Sequence, residues 1–372
     1  MILLRNIATV GGMTMISRVL GFVRDILVAA ALGAGPLADA FFVAFKLPNL
    51  FRRLFAEGAF SAAFVPQFAG YLEVNGKEVA RVFAEQALSV LVWVLLVFVV
   101  VLELAMPLVI LGFAPGFVGS PEQFDLAVLL SRITLPYLLF ISLVSLLAGV
   151  MNSLGRFAAA AATPILLNLC LIGAILWLAR FTPTPAHALA WGVAFAGMAQ
   201  FCWMLFHTLR AGVNLRLPFP KLTPSIRVMF ARIVPVAIGA GVYQISLLID
   251  TVIASLLPAG SISYLFFADR VNQLPMGLVG VAVGTALLPL LARQVRAGDE
   301  IAARHSQNRA VEYTLFLALP AAAALVVISG PVVTVLFERG AFTAEDAAAT
   351  AGALAVYATG LPAYVLVKGL SP

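Results

Sequence analysis

Charged residues are scarce in this sequence. Asp, Glu, Lys and Arg make up 11% of the 372 residues, whereas 62% of the residues are hydrophobic. Soluble domains carry about 25% charged residues, and no single soluble core of this size buries so much apolar surface. The composition therefore excludes a soluble globular domain.

Residues and motifs that support enzymatic or metal chemistry are also few. The two cysteines, Cys170 and Cys202, lie in apolar stretches and form neither a disulfide framework nor a metal site. The histidines, His187, His207 and His305, lie in no HExxH pattern and near no cysteine. Walker A, dinucleotide-binding and G-x-S-x-G motifs are absent. We therefore predict no enzyme, no metal ion and no cofactor.

What the chain does contain is a series of apolar stretches of about 20 to 30 residues, the length of membrane-spanning helices. A transmembrane β-barrel shows alternating segments of about ten residues, and stretches such as Leu88–Val101 do not alternate. The sequence predicts an all-α polytopic membrane protein. About ten spans are expected, at 7–32, 39–68, 82–111, 125–151, 158–180, 187–209, 230–256, 263–291, 311–336 and 347–370.

Basic residues concentrate in alternate loops. One set of loops carries most of the arginines and lysines, and the other carries little beyond Arg180 and Arg339. Positively charged loops stay on the cytoplasmic side, so we expect a protein of an inner (cytoplasmic) membrane with a cytoplasmic N-terminus. The same bias accounts for the net charge of +6 and removes the need for a nucleic-acid partner.

The chain repeats part of itself at an offset of 225 to 227 residues. Asp25, Ala34-Gly35, Phe41-Phe42 and Leu47-Pro48 recur as Asp250, Ala259-Gly260, Phe266-Phe267 and Leu274-Pro275. Six spans precede the second copy, which makes the copies parallel repeats. We predict two six-helix lobes around a central cavity, residues 1–215 with spans 1–6 and residues 216–372 with spans 7–10. The second lobe is incomplete by comparison with the first, so we expect the natural protein to be longer.

Charged residues also lie inside four of the predicted spans. They are Arg18, Arg24 and Asp25 in span 1, Asp39, Lys46, Arg52, Arg53 and Glu57 in span 2, Asp250 in span 7, and Asp269 and Arg270 in span 8. Each charge at the centre of a membrane costs about 2.5 to 3.5 kcal/mol. These groups are therefore expected to face a protein interior or a water-filled cavity rather than lipid.

In span 1, Arg18 and Asp25 stand seven residues apart and nearly align on one helix face. This spacing predicts that both line the same face of the interior. A simpler role for Asp25 is to neutralise Arg18 or its chain neighbour Arg24.

In span 2, Asp39, Lys46 and Arg53 are also spaced by sevens, and Arg53 and Glu57 have the i, i+4 spacing of an ion pair. Two structural alternatives stand beside a functional one. In the first, Asp39 and Glu57 lie near the ends of the span and are simply solvated. In the second, Arg53 and Glu57 form a structural ion pair rather than part of a site.

Four arginines are the strongest candidates for a binding site: Arg18, Arg24, Arg52 and Arg270. Arginine stays charged, and its planar donors bind phosphate in a bidentate manner. Several arginines converging from the two lobes suit a diphosphate. Counted over all the in-span charges, however, six are positive and five negative, so net charge alone does not establish an anionic substrate.

Four segments resemble the signature motifs of the MurJ (MviN) family of lipid II flippases. They are Ser17–Asp25, Ala38–Phe60, and Ala268–Arg270 with Gly280–Thr285. The similarity runs along all 372 residues. The first part of the chain is its most specific part, because charged motifs are rare within membrane spans.

The resemblance implies two six-helix lobes that form a V, plus two C-terminal helices, as in multidrug and oligosaccharidyl-lipid exporters. It implies movement of lipid II, the undecaprenyl-diphosphate-linked peptidoglycan precursor, from the cytoplasmic to the periplasmic leaflet. By motif, the functional arginines fall on the four candidates above, and Asp39 and Glu57 fall on positions that matter for activity. Gln273 stands where some relatives carry a carboxylate, which puts an acidic role there in doubt.

We therefore expect alternating access, with the four arginines binding the diphosphate. The expected charge partners and gating residues of the cavity are Asp25, Asp39, Lys46, Arg53, Glu57, Asp250 and Asp269. Lipid II and membrane lipids are the expected partners, with drive from the membrane potential or a coupled cation. Alternatives are a flippase for another polyprenyl-diphosphate oligosaccharide, a cation-coupled exporter, and a non-transporting scaffold of the cell-wall machinery. A membrane-embedded transferase lacks an evident acid–base or metal cluster.

Overall fold

The computed structural model describes residues 2–53 and 58–370, excluding the side chains of residues 2–7, 59, 240, 243, 278–292 and 368–370. Within these ranges the protein is all-helical, which confirms the predicted fold class. The α-helices are α1 (Ile2–Leu32), α2 (Pro36–Arg52), α3 (Ala59–Val74), α4 (Gly76–Leu104), α5 (Met106–Phe113), α6 (Pro121–Thr134), α7 (Tyr137–Ser153), α8 (Ala158–Leu176), α9 (Pro185–Arg210), α10 (Pro224–Ser255), α11 (Ser261–Arg296), α12 (Glu300–Val327), α13 (Ser329–Phe337) and α14 (Ala344–Leu370).

Several predicted spans are broken into two helices near a proline. The span predicted at 82–111 consists of α4 and α5, with the break just before Pro107. The span at 125–151 breaks beside Pro136, and the span at 311–336 breaks before Pro331. Proline has no backbone N–H and its ring clashes with the preceding turn, so a helix interrupted by proline ends or bends there.

Six helical segments in the described ranges are long and apolar enough to cross a membrane, or seven if the bent pair Pro224–Gly239 and Gln244–Ser255 counts as one span. The other predicted spans lie on α1, on α2 with α3, and on α11. The first two of these regions carry most of the in-span charges that lower the mean hydropathy. The count of ten spans therefore stays a prediction.

The chain divides into two compact units, one formed by residues 1–28 and 35–262 and the other by residues 29–34 and 263–372. In the first unit α2 packs against α6, α7 and α9, and α8 packs against α9. In the second unit α14 packs against α12 and α13. The lobe boundary predicted at residues 215 and 216 concerns the sequence repeat and stays a prediction.

The interhelical segment 211–223 is held against the first turns of α4. Glu85 on α4 is 9% exposed and accepts the backbone N–H of Arg216 at 3.0 Å and an Arg81 N–H at 2.8 Å. Ser89 donates to the carbonyl oxygen of Pro218, and Thr223 donates to Gln86 Oε1 at 2.9 Å. The segment lacks regular structure of its own, so these side chains of α4 fix its path.

We expect Glu85→Ala to lower the free energy of unfolding by about 1.5 to 3 kcal/mol, because it removes hydrogen bonds to a charged, buried acceptor. Glu78→Ala is the matched control, since Glu78 also pairs with Arg81 at 2.8 Å but is 79% exposed. The control should cost less than about 1 kcal/mol. Thermal unfolding of the detergent-solubilised protein checks both, and equal shifts in the two variants would contradict the anchoring role of Glu85.

A glycine at the end of α5 packs closely against the end of α10 within the first unit. Gly116 lies in the 3₁₀ turn Pro115–Gly119 and donates its N–H to Ser255 Oγ at 3.2 Å. A Cβ at this position would lie 1.8 Å from the carbonyl oxygen of Ser255. The contact is thus possible only because residue 116 has no side chain.

The second unit contains an equivalent contact at the end of α1. Ala341 donates its N–H to the carbonyl oxygen of Ala30 at 2.8 Å, and a Cβ on Gly340 would lie 2.3 Å from that oxygen. Gly340 and Gly116 are 224 residues apart, and Ser255 and Ala30 are 225 apart. The two contacts therefore occupy equivalent positions of the predicted repeat.

Candidate functional site

A buried ion pair lies on α1. Asp25 Oδ1 accepts hydrogen bonds from Arg24 Nε at 3.0 Å and from Arg24 Nη2 at 2.6 Å. Arg24 is 8% exposed and Asp25 4% exposed. The carboxylate neutralises the guanidinium in a region where an isolated charge would be costly. The structure thus favours Arg24, and not Arg18, as the partner of Asp25.

Asn168 completes this cluster from α8, and sequence analysis missed it. Its Oδ1 accepts from Arg24 Nη1 at 2.9 Å, and its Nδ2 donates to the carbonyl oxygen of Ser17 at 2.9 Å. A signal was available in the sequence, because Asn168 is the sole amide side chain in an otherwise apolar helix. Such residues in membrane helices generally bind a neighbouring helix.

Two charged residues of α2 contact the C-terminal end of α10 and the turn after it. Asp39 is 2% exposed, and its Oδ2 accepts the backbone N–H of Gly260 at 2.7 Å. Lys46 is half-buried, and its Nζ lies 3.4 Å from Thr251 Oγ1. The alternative that Asp39 is solvated at a span end is therefore wrong, because its carboxylate is buried and hydrogen-bonded to a backbone amide.

The remaining candidates of the first unit differ in exposure. Arg18 on α1 and Asp250 on α10 are exposed, and Arg52 at the end of α2 is half-buried. Arg53 is exposed, whereas Asp39 is buried. The two residues therefore lie in different environments, although the seven-residue spacing predicted a shared helix face. Glu57 lies outside the described residues, and the predicted pair of Arg53 with Glu57 stays a prediction.

In the second unit, Arg270 lies on α11 among its own helix neighbours. Its guanidinium carbon lies 4.7 Å from the centre of the Phe266 ring, a cation–π contact. Arg270 Nη1 donates to Gln273 Oε1 at 3.4 Å, and Gln273 Nε2 donates to Asp269 Oδ2 at 2.5 Å. The amide of Gln273 therefore connects the cation to the carboxylate without adding a charge.

The two clusters share one chemical design. Each contains an arginine, an aspartate next to it in the chain, and an amide side chain whose oxygen accepts from the guanidinium. On α1 the aspartate pairs directly with Arg24, whereas on α11 the amide of Gln273 lies between Arg270 and Asp269. Arg24, held in this way, keeps one N–H on Nη1 and one on Nη2 outside these contacts, and such donors can bind a phosphate. In the described ranges, no group of three or more His, Cys, Asp or Glu residues is arranged to hold a metal ion.

Comparisons with known proteins identify the family of the chain. The family model described as lipid II flippase MurJ matches residues 28–372. A probable lipid II flippase MurJ of Rhizobium tropici is 47% identical over 376 residues, covering 100% of this chain and 70% of that protein. The chain belongs to the MurJ family of lipid II flippases. This confirms the family predicted from the charged motifs of the first two spans.

Other MurJ relatives agree with this assignment. The lipid II flippase MurJ of Burkholderia cenocepacia is 38% identical over 377 residues, covering 100% of this chain and 72% of that protein. A solved structure of lipid II flippase MurJ in an inward closed conformation matches with a TM-score of 0.84 and 27% identity, over 97% of this chain and 74% of that one. With its membrane-length helices, this MurJ-family chain is a multi-pass membrane protein.

More distant structures share the fold alone. An inward-facing multidrug transporter of the MATE family, within the MOP superfamily, matches with a TM-score of 0.68 at 12% identity. It covers 95% of this chain and 82% of that chain. The MurJ family thus shares a helical architecture with transporters of the MOP superfamily, as the sequence resemblance implied.

Proposed function

We propose that the protein moves lipid II from the cytoplasmic to the periplasmic leaflet of the bacterial inner membrane. Membership of the MurJ family carries this proposal. The chemistry of the arginine clusters supports it, because a diphosphate-linked lipid needs bidentate cation donors within an apolar protein. The basic loops of the sequence support the orientation, with the N-terminus in the cytoplasm.

In this mechanism Arg18, Arg24, Arg52 and Arg270 bind the diphosphate when the protein is open to the cytoplasm. The protein then changes conformation and releases lipid II toward the periplasm. Asp25 and Asp269 compensate the arginines in the empty state, as the buried contact of Arg24 with Asp25 already does. When lipid II binds, its phosphate oxygens accept some of the arginine hydrogen bonds that the carboxylates otherwise accept. After release, the carboxylates accept these hydrogen bonds again.

The membrane potential supplies a driving force with the required sign. The cytoplasm is negative, so an anion gains free energy on moving outward, about 2.3 kcal/mol per charge for each 100 mV. A diphosphate with two negative charges would gain roughly 4.6 kcal/mol at 100 mV. The chain has no Walker A motif, and we propose that this potential, or a coupled cation gradient, drives transport.

Depletion of the protein in growing cells tests this function. We expect lipid II to accumulate in the inner leaflet, where an impermeant enzyme added from outside does not reach it. Re-expression of the wild-type protein should restore accessibility. Accumulation of a different polyprenyl-diphosphate oligosaccharide, with lipid II distributed normally, would contradict the proposal.

A further inference from the structure

Asn168 is a buried amide in the middle of an apolar helix. Its side chain is 5% exposed, and α8 contains no charged residue. Burying an amide without hydrogen-bond partners is costly, so a residue of this kind is expected to serve a specific contact. In this protein that contact is to the arginine cluster on α1.

The two partners of Asn168 define its chemistry. Arg24 is a donor alone, and the carbonyl oxygen of Ser17 is an acceptor alone. An amide matches both, because its oxygen accepts from Arg24 at 2.9 Å while its nitrogen donates to Ser17 at 2.9 Å. A leucine of similar size satisfies neither partner. An aspartate satisfies Arg24 and faces the Ser17 oxygen with a second acceptor.

The contact with Asn168 also fixes the plane of the Arg24 guanidinium. Both hydrogen bonds to Asp25 end on the same oxygen, Oδ1, about which the guanidinium can pivot. The third contact, from Nη1 to Asn168, removes this freedom. One N–H on Nη1 and one on Nη2 then lie outside these three contacts. Two such donors are what an arginine presents to a phosphate in a bidentate complex.

We infer that Asn168 is a positioning residue, which orients Arg24 toward the diphosphate of the transported lipid. The inference rests on the proposed function, since it requires that Arg24 binds the diphosphate. Asn168 acts through Arg24 and needs no contact with the lipid. It also joins α8 to α1, where a Cβ on Gly21 would lie 3.5 Å from its Nδ2.

The test compares Asn168→Leu with a matched control, Gln200→Leu. Gln200 on α9 is also a buried amide, 2% exposed, and donates to the Thr163 carbonyl oxygen of α8 at 2.7 Å without contacting Arg24. For each purified variant, the affinities for undecaprenyl diphosphate and undecaprenyl monophosphate and the thermal unfolding midpoint are measured. The monophosphate serves as a ligand with the same lipid tail and one phosphate fewer.

We expect Asn168→Leu to weaken diphosphate binding about tenfold while monophosphate binding changes little, because the contact proposed for Arg24 is to the second phosphate, which the monophosphate lacks. Gln200→Leu should lower the unfolding midpoint by a similar amount and leave both affinities unchanged. Arg24→Lys should weaken diphosphate binding more strongly, and the double variant should lose less than the product of the single effects, because both changes act on one interaction. Asn168→Asp retains the size of the side chain and should also weaken diphosphate binding, which keeps the test available if the leucine variant does not fold.

Each contrary result has a distinct meaning. Equal weakening of both ligands by Asn168→Leu, or equal effects of the Gln200 control, would show a merely structural role and overturn the inference. Weakening by Arg24→Lys with no effect of either Asn168 variant would overturn the positioning role and leave the proposed function standing. If Arg24→Lys has no effect on diphosphate binding, Arg24 does not bind the diphosphate. That result would overturn both the proposed arginine site and the inference about Asn168.

Discussion

Replacing Arg24 by lysine should weaken lipid II binding by at least about a hundredfold, because at least two hydrogen bonds to charged groups are lost and each contributes about 1.5 to 3 kcal/mol. Lysine keeps the charge but has no planar fork. A single ammonium group does not reproduce the contacts to Asp25 Oδ1 and Asn168 Oδ1 together with a bidentate contact to phosphate. Equilibrium binding of lipid II to the purified variant measures the effect.

Lysine is the informative replacement here. Alanine would leave Asp25 buried without its cation, and breaking a buried pair in this way costs about 3 to 5 kcal/mol. Arg304→Lys is the control, because Arg304 is 81% exposed and lies 3.8 Å from an exposed Glu300. The control should bind lipid II as the wild type does. If Arg24→Lys binds lipid II with wild-type affinity, Arg24 is not part of the binding site.

Gly116→Ala should destabilise the protein by several kcal/mol. An added Cβ would lie 1.8 Å from the carbonyl oxygen of Ser255 and 2.9 Å from the backbone nitrogen of Leu256. Backbone atoms do not give way as a flexible side chain does, so the turn and the end of α10 must separate. Separation breaks the Gly116 hydrogen bond to Ser255 and exposes packed surface, with a combined cost of about 2 to 5 kcal/mol.

Gly112→Ala is the matched control for this prediction. Gly112 lies in α5, four residues before Gly116, and a Cβ there meets nothing within 4 Å. Alanine is a better helix former than glycine by about 1 kcal/mol, so the control should be neutral or slightly stabilised. Thermal unfolding in detergent compares the two. An unfolding midpoint of Gly116→Ala equal to that of the wild type would contradict the close approach of the turn to α10.

The balance of charge in the clusters explains why net charge was a poor guide to the ligand. Arg24 is compensated by Asp25, and Gln273 connects Arg270 to Asp269. A compensated arginine is tolerable inside an apolar protein, and it still offers donors to an anion that arrives. The proposed binding of a diphosphate therefore rests on the geometry of the donors and not on an excess of positive charge.

The fold class was predictable from the sequence because every membrane helix must satisfy its own backbone hydrogen bonds. The long apolar stretches thus had to be helices, and α8 and α9 follow the predicted spans closely. The breaks near Pro107 and Pro331 were less evident, since proline in a membrane helix is often accommodated without ending it. The family was predictable from charged motifs that few other membrane spans contain.

The partners of the charged residues were harder to predict. Helical spacing aligned Arg18 with Asp25, yet Asp25 pairs with its neighbour Arg24. Asp39 binds the amide of Gly260, which is 221 residues away in the chain. Spacing reports which residues share a helix face and says nothing of the helix packed against that face. Asn168 was missed for the same reason, as its role depends on α1 lying beside α8.

Transport of lipid II by the purified protein in sealed vesicles tests the central claim most directly. Lipid II is placed in the membrane, and an impermeant probe reports its appearance on the face equivalent to the periplasm. We predict appearance that depends on the protein, is accelerated when the opposite side is made negative, and is lost in Arg24→Lys while Arg304→Lys transports normally. Equal transport by Arg24→Lys and the wild type would contradict the account.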